Sequence, residues 1–235
     1  MNLVLFEPAE LIAPLPRTDP RALHILDVLR RREGDTFDAG LINGPLGKGT
    51  LASNAGDSLT LTFAWGAPPA PLPQTTLLIG LPRPQTARDI LRDATTLGAT
   101  LIHFVVTERT DPNYATSTLW TTGEWRRHCL TGAAQAFDTR IPEITWTHTL
   151  AGALAALTPG AQRIALDNYE ATTSLKKHHL SGCTSLVLAL GPERGWGPTD
   201  REALRAAGFT FAHLGARVLR VETAVVSALA ITRLG

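Results

Sequence analysis

Ser185-Leu-Val-Leu-Ala-Leu190 runs directly into Gly191-Pro-Glu-Arg-Gly-Trp-Gly197, and this junction decides the reading of the fold. Apolar residues from Leu186 to Leu190, without polar alternation, describe a strand buried on both faces, as in a parallel sheet. The glycines that follow permit a tight turn. Thr199 and Glu202 spell a Thr-x-x-Glu capping box, which predicts a helix over Thr199–Ala207 closed by Gly208. In open α/β sheets, ligands bind beyond the carboxyl ends of strands, so the turn is placed for ligand contact. Its glycines and Glu193 exceed what a plain connection needs. The spacing is not the Gly-x-Gly-x-x-Gly of dinucleotide-binding folds. Gly44–Thr50 lacks the Gly-Lys-Ser/Thr ending of a phosphate loop and reads as a hairpin turn, so neither NAD nor ATP is indicated.

Outward from this junction, Thr75–Leu81, Leu101–Val106 and Arg163–Leu166 read as further strands. Gln85–Leu97, stopped at Gly98, and Thr122–Phe137 read as helices, His213-Leu214 as a short strand, and Glu222–Leu234 as a closing helix. This alternation predicts an α/β domain with a parallel sheet covered by helices. Earlier in the chain the rhythm differs. Leu3–Phe6, Thr36–Ile42 and Leu59–Trp65 are short apolar runs, with turns at Asn43-Gly44 and Gly47-Lys48-Gly49. One helix, from about Asp19 to Arg31 and ended by Gly34, interrupts them. Residues 1–67 are thus predicted to form a small β-barrel. Pro68, Pro69, Pro71 and Pro73 hold residues 68–73 extended as a linker, leaving 74–235 as the α/β domain.

The 235 residues carry 22 Lys+Arg against 21 Asp+Glu, and 44% are hydrophobic, which excludes a mainly disordered chain. Residues 1–72 hold 6 basic and 8 acidic residues, the remainder 16 and 13, so neither half is strongly basic. Of the basic residues 19 are arginine, the side chain suited to bidentate phosphate contact. Cys129 and Cys183 cannot form a disulfide framework, and His178-His179 with Cys183 is not metal-ligand spacing, so no metal is expected. Cys129 falls on an apolar helix face and reads as a buried thiol. Glu7, Pro8 and Glu10 do not suit a secretory leader, and no apolar run reaches the about 18 residues of a membrane span. A cytoplasmic protein without membrane partners is expected.

The second dense segment is Leu214-Gly-Ala-Arg-Val-Leu-Arg-Val-Glu-Thr-Ala224. A strand ends at Gly215, and a loop with two arginines enters a helix at Arg220, Glu222 and Thr223, where backbone N–H groups lack helical partners. With the glycine turn, it predicts two loops closing on one pocket. Leu166-Asp167, ending an earlier strand, is a candidate third wall. Gly191-Pro-Glu-x-Gly followed by Leu214-Gly-x-Arg-Val-Leu-Arg-x-Glu-Thr-Ala224 resembles the RsmE-type ribosomal RNA methyltransferases of the SPOUT superfamily. His24-x-x-x-Val28-Leu-Arg30 with Gly34-Asp35, Leu97-Gly98, Glu108-Arg109, Ala133-Ala-Gln135 and Arg140-Ile-Pro142 extend the resemblance over nearly the whole chain.

The resemblance implies a SPOUT domain with a deep trefoil knot, preceded by a PUA-like β-barrel that binds RNA. It implies S-adenosylmethionine as cofactor, methylation of uracil N3 in 16S rRNA on the small ribosomal subunit, and a homodimer through the knot domain. Cofactor contacts are implied at Leu166, Leu190, Gly191, Pro192, Gly195, Leu214, Gly215, Val218, Leu219 and Thr223. Uracil N3 carries a proton at neutral pH, so its removal must be assisted. Arg220 is the candidate for stabilising charge on the base, and Glu222 or Glu193 for accepting the proton or orienting the loops. A guanidinium cannot itself act as the base. RNA contacts are expected at His24, Arg30 and Arg31 of the barrel and at Arg140 of the second domain. Trp196 either lids the pocket or packs below it. A relative acting on another RNA nucleoside and a non-catalytic RNA-binding relative stand as alternatives. The chain departs from the family pattern at Arg194, where a glycine is usual, at Thr96 and Arg83, and in the length from Gln135 to Arg140.

Overall fold

The computed structural model describes residues 3–178 and 184–234; Cys183 and His179 lie outside them. The chain forms two compact units, residues 1–71 with 133–141, and residues 72–132 with 142–235. No helix of the described residues is long and apolar enough to cross a membrane.

The first unit opens with β1 (Val4–Phe6), buried along its length, and β2 (Leu15–Pro16). Helix α1 (Pro20–Leu23) starts on Asp19, whose carboxylate accepts from the Arg21 N–H at 2.8 Å, with Pro20 at the first helical position. It continues as a π-type turn over His24–Val28. The chain then leaves the helix at Arg30, whose φ is 53°. The helix expected to reach Arg31 is therefore shorter, and Arg30 rather than Gly34 breaks it. Strands β3 (Thr36–Leu41), β4 (Leu46–Ser53) and β5 (Ser58–Trp65) follow as an antiparallel meander. Gly47-Lys48-Gly49, expected as a turn, lies inside β4. Gly49 is required there by packing, because a Cβ would strike the Phe37 ring. The sheet order β1-β3-β4-β5-β2 makes a curled half-barrel with β1 and β2 at its edges, rather than a closed barrel. Val4, Phe6, Ile25, Phe37, Leu51 and Leu59 fill its core.

Residues 133–141 complete this unit, which nothing in the local sequence announces. Thr139 is fully buried, and its hydroxyl donates to the Gly44 carbonyl at 2.6 Å. The Asn43 N–H donates to the Thr139 carbonyl at 2.8 Å, and the Ile141 N–H to Asn43 Oδ1 at 3.0 Å. Asn43 makes these contacts from a left-handed φ of 56°. Gly40 is equally constrained, since a Cβ there would lie 2.7 Å from Thr139 Cγ2. Arg140, expected in the second domain, thus belongs to the first unit.

The second unit comprises β6 (Gln74–Gly80), α2 (Pro84–Thr96), β7 (Leu101–Val106), α3 (Thr118–Thr121), α4 (Glu124–Gln135, its last turn in the first unit) and β8 (Glu143–Thr149). It continues through α5 (Leu150–Ala155), β9 (Gln162–Leu166), β10 (Thr173–Ser174), β11 (Ser185–Leu190), α6 (Pro198–Ala206), β12 (Thr210–His213) and α7 (Val221–Leu234). The strands form one sheet in the order β10-β12-β9-β11-β6-β7-β8, every neighbouring pair parallel. The parallel sheet and most helices follow the hydrophobic pattern. The helix expected over Thr122–Phe137 is shortened to α4, Glu124–Gln135, because Gly123, at φ 76°, separates it from the preceding α3. Helix α6 starts earlier than expected. Gly197 is its N-cap and Pro198 its first residue, and Asp200, not Glu202, accepts the cap N–H at 2.9 Å. Gly208, at φ 79°, closes it as expected. Leu78, Val105, Val187, Ala189, Trp196 and Leu204 form one core beneath the sheet. Cys129 is fully buried, and burial pushes its thiol up to about 11.

In the first unit Arg21 joins two carboxylates, Glu10 at 2.7 Å and Asp19 at 2.8 Å. Hydrogen bonding to Arg21 holds Glu10 below its ordinary 4.5 and Asp19 below 3.8. A depressed carboxylate adds stability that is full above its unfolded value and is lost as pH falls through the folded one. Thermal melts should therefore lose midpoint as pH drops below about 4.5, and Arg21→Met should flatten that slope. Because the groups are partly exposed, the change is expected at about 1 kcal/mol or less.

Candidate active site

Parallel strands deliver their following loops to one edge of the sheet, and β9, β11 and β12 do so side by side. Their loops, with Arg83, Gln85 and Thr86 after β6, enclose a cavity of about 720 Å³. Leu166, Leu190, Leu214, Val218 and Leu219 supply apolar surface, and Asp167, Glu193, Arg194, Arg220 and Glu222 supply charge. Of the cofactor and catalytic residues expected from sequence, all but Gly215 and Thr223 line this one space.

The glycine turn is folded tightly on itself. The Gly195 N–H donates to the Pro192 carbonyl at 2.7 Å, with Gly195 at φ 67°. A Cβ on Gly191 would lie 2.9 Å from both the Gly195 carbonyl carbon and the Trp196 nitrogen. From outside, the turn is held by Gly80 at the end of β6, where a Cβ would lie 2.7 Å from the Pro192 nitrogen. Glu193 accepts the Arg83 N–H at 2.9 Å, and the Arg194 carbonyl accepts from Arg109 Nη1 at 2.9 Å. Trp196 is buried and donates from Nε1 to the Leu166 carbonyl at 3.1 Å, so it packs below the cavity and does not cover it.

The opposite wall is looser. The Gly215 N–H donates to His213 Nδ1 at 3.1 Å, and Gly215 has φ 123°. Among the described residues, the N–H groups of residues 216–219 donate to nothing within the chain. Val218 stands 84% exposed, an apolar side chain at the lip of a cavity. Arg220 Nη1 lies 3.6 Å from Glu222 Oε1, and its side chain is otherwise in solvent.

The third wall rests on an ion pair that sequence reasoning missed. Asp167 is buried and accepts from Arg201 Nε at 2.6 Å. Its other oxygen accepts the Tyr169 N–H at 2.6 Å and the Glu170 N–H at 2.9 Å. The Arg201 guanidinium also lies 5.6 Å from the centre of the Tyr169 ring. Arg201 sits on α6, the helix that the glycine turn starts, so one side chain ties two cavity walls together. Gly80 and Arg83 were likewise missed; Leu81-Pro82-Arg83-Pro84, between a strand and a helix, repeats the junction logic of the glycine turn.

The RNA candidates lie in the first unit. His24 is half-buried on the π-type turn, and Arg30 and Arg31 are exposed. Arg140 is half-buried, donates from Nε to Asp138 at 2.8 Å and reaches the Ala70 carbonyl, so much of its donor capacity is used internally.

Residues 68–233 match the RNA methyltransferase domain family, the class that this sheet-edge cavity and its two loops define. Ribosomal RNA small subunit methyltransferase E of Treponema pallidum is 34% identical over 98% of this chain and 90% of its own length. The protein of the same name from Synechocystis is 31% identical over 95% of this chain and 74% of its own length. The chain belongs to this ribosomal RNA small subunit methyltransferase E family. A crystal structure of the Neisseria gonorrhoeae methyltransferase E, bound to S-adenosyl methionine, superposes with a TM-score of 0.79 at 22% identity, covering 100% of this chain and 97% of that one, and shows the shared fold.

The Asp167–Arg201 pair has side chains 1% and 8% exposed, so losing one partner strands a buried charge. Arg201→Ala should cost about 3–5 kcal/mol in urea unfolding, and the double variant Asp167→Asn/Arg201→Met distinctly less.

Proposed function

We propose that the protein methylates N3 of a uridine in 16S rRNA of the small ribosomal subunit, using S-adenosylmethionine. The observation that carries this reading is the convergence of the glycine turn and the Leu214–Glu222 loop on one cavity, in a chain whose curated relatives are small-subunit rRNA methyltransferases. The cavity's chemistry fits the cofactor. Apolar side chains suit an adenine ring, tight glycines permit close backbone approach, and unpaired N–H groups at 216–219 offer donors to its edge. Leu166, Leu190, Gly191, Pro192, Gly195, Leu214, Val218 and Leu219 would hold it, with Gly215 shaping the loop and Thr223 at the mouth of α7. The sulfonium cofactor, when bound, supplies an electrophilic methyl group.

The residues of the chain must then bind the base, assist loss of its N3 proton and stabilise negative charge on the ring. Arg220 is assigned the last role, being cationic, largely in solvent and at the rim. Glu222, 3.6 Å from Arg220, orients it. Glu193 uses one oxygen on the Arg83 N–H and has the other to accept a proton. The family resemblance further supports a trefoil-knotted SPOUT unit that dimerises, a PUA-like first unit that contacts RNA through His24, Arg30 and Arg31, and a cytoplasmic setting.

Nucleoside mapping of rRNA from a deletion strain tests the activity: 3-methyluridine should disappear from 16S rRNA and return with the wild-type gene. Its persistence in a strain without a second family member refutes the reading. Arg220→Ala should lower kcat on small subunits by about 10²-fold or more while leaving cofactor affinity near wild type. Gly80→Ala, by displacing Pro192, should instead weaken cofactor binding by about tenfold in calorimetry.

A further inference from the structure

A second, smaller cavity of about 300 Å³ adjoins the first and shares Arg83, Pro192, Glu193 and Arg194 with it. Leu81, Glu108, Arg109, Thr110, Asp111 and Tyr114 line only the smaller one. Its volume sits at the lower end of sites that hold small ligands.

The polar groups around it fall into two sets. Each carboxylate braces the local backbone through one oxygen. Glu193 accepts the Arg83 N–H at 2.9 Å, Glu108 the Thr199 N–H at 3.2 Å, and Asp111 the Asn113 N–H at 3.0 Å. The Thr110 hydroxyl turns back to Thr107 at 2.9 Å. The guanidinium groups are not so engaged. Arg109 uses one N–H on the Arg194 carbonyl, leaving most of its five donors, and the Arg83 and Arg194 side chains have no hydrogen bond or ion pair among the described residues. Tyr114, half-buried, adds the only aromatic ring of the lining.

Free guanidinium donors beside an aromatic ring fit one ligand class well: a nucleotide, its base stacked on the ring and its carbonyl and phosphate oxygens on arginine. Its position fits as well. A base must leave the RNA stack to be modified, and must then lie beside the methyl donor. The shared wall carries Glu193, so a base in the smaller cavity would meet that carboxylate before the cofactor space. We propose that the smaller cavity receives the extruded target nucleotide of the RNA, with Tyr114 as its stacking platform and the Arg109 and Arg194 guanidinium groups donating N–H to its oxygens. The ligand's identity rests on the RNA methyltransferase reading above.

The test separates the two. Protein saturated with S-adenosylhomocysteine is titrated with purified small ribosomal subunits in a filter-binding assay, and S-adenosylhomocysteine affinity is measured alone by calorimetry. Arg109→Ala and Tyr114→Ala should each weaken small-subunit binding by about tenfold, and Tyr114→Phe should not. For Tyr114→Ala, S-adenosylhomocysteine affinity should stay within about twofold, because that side chain lines only the smaller cavity. The slope of log Kd against log salt should become shallower by about 0.7 for Arg109→Ala alone. Unchanged small-subunit affinity in both alanine variants overturns the proposal. So does an equal fall in cofactor affinity for Tyr114→Ala, which would make that side chain a mere support of the glycine turn. If this binding pattern holds but wild-type protein transfers no methyl group, the activity fails and the subsite stands.

Discussion

Strand β11 is paired along its length on both edges, Leu186–Leu190 with β9 and Ser185–Leu190 with β6, and Leu186–Leu190 are buried. A strand so placed has no free edge and no solvated face, so its end point is fixed to within a residue. That rigidity is what the catalytic edge of the molecule inherits. Leu190 stops the ladder opposite Ile79 and Leu166, and the three chain exits from β6, β9 and β11 therefore leave the sheet in line. Gly80 follows Ile79 and lies against Pro192; Asp167 follows Leu166 and clasps Arg201. Close contacts between residues far apart in sequence thus depend on one parallel register.

Much of this was legible because β11 announces itself. An apolar run followed by glycines has few alternative readings, and the strands and helices around it follow the same periodic logic. The weaker parts of the reading share a different cause. Strand β4 contains Gly47 and Gly49, which look like punctuation until Phe37 is seen to need the space. Strand β8 is a sheet edge with exposed Thr147, His148 and Thr149, so its face shows no apolar alternation. The capping of α6 went to Asp200 because Pro198 could open the helix, which shifted the start away from Thr199. In the site, the residues within the two signature segments were found, whereas Gly80, Arg83 and Arg201 were not. Their roles are defined by partners across the fold, and no local pattern encodes such partners.

The near-zero formal charge also acquires a structural meaning. Around the site, carboxylates are committed to holding loops: Glu193 to Arg83, Glu108 to the start of α6, Asp167 to two backbone N–H groups and to Arg201. Arginines at the rim, Arg83, Arg194 and Arg220, have few partners or none. Acid and base residues therefore cancel in number without cancelling in availability, and the surface presented beyond the sheet is richer in donors than the composition implies.

The docking of residues 133–141 onto the half-barrel bears on how the chain is made. Synthesis runs from the N-terminus, and domains generally fold as they emerge. Here the half-barrel lacks the threonine that covers Gly40 and binds the Gly44 carbonyl until residue 139 has left the ribosome. By then the residues of β6, α2 and β7 have been made, and those of β8 follow directly. Completion of the first unit and extension of the second sheet are thus timed by the same stretch of polypeptide. The proline segment, for all its appearance as a boundary, marks no point at which the nascent chain holds a finished module.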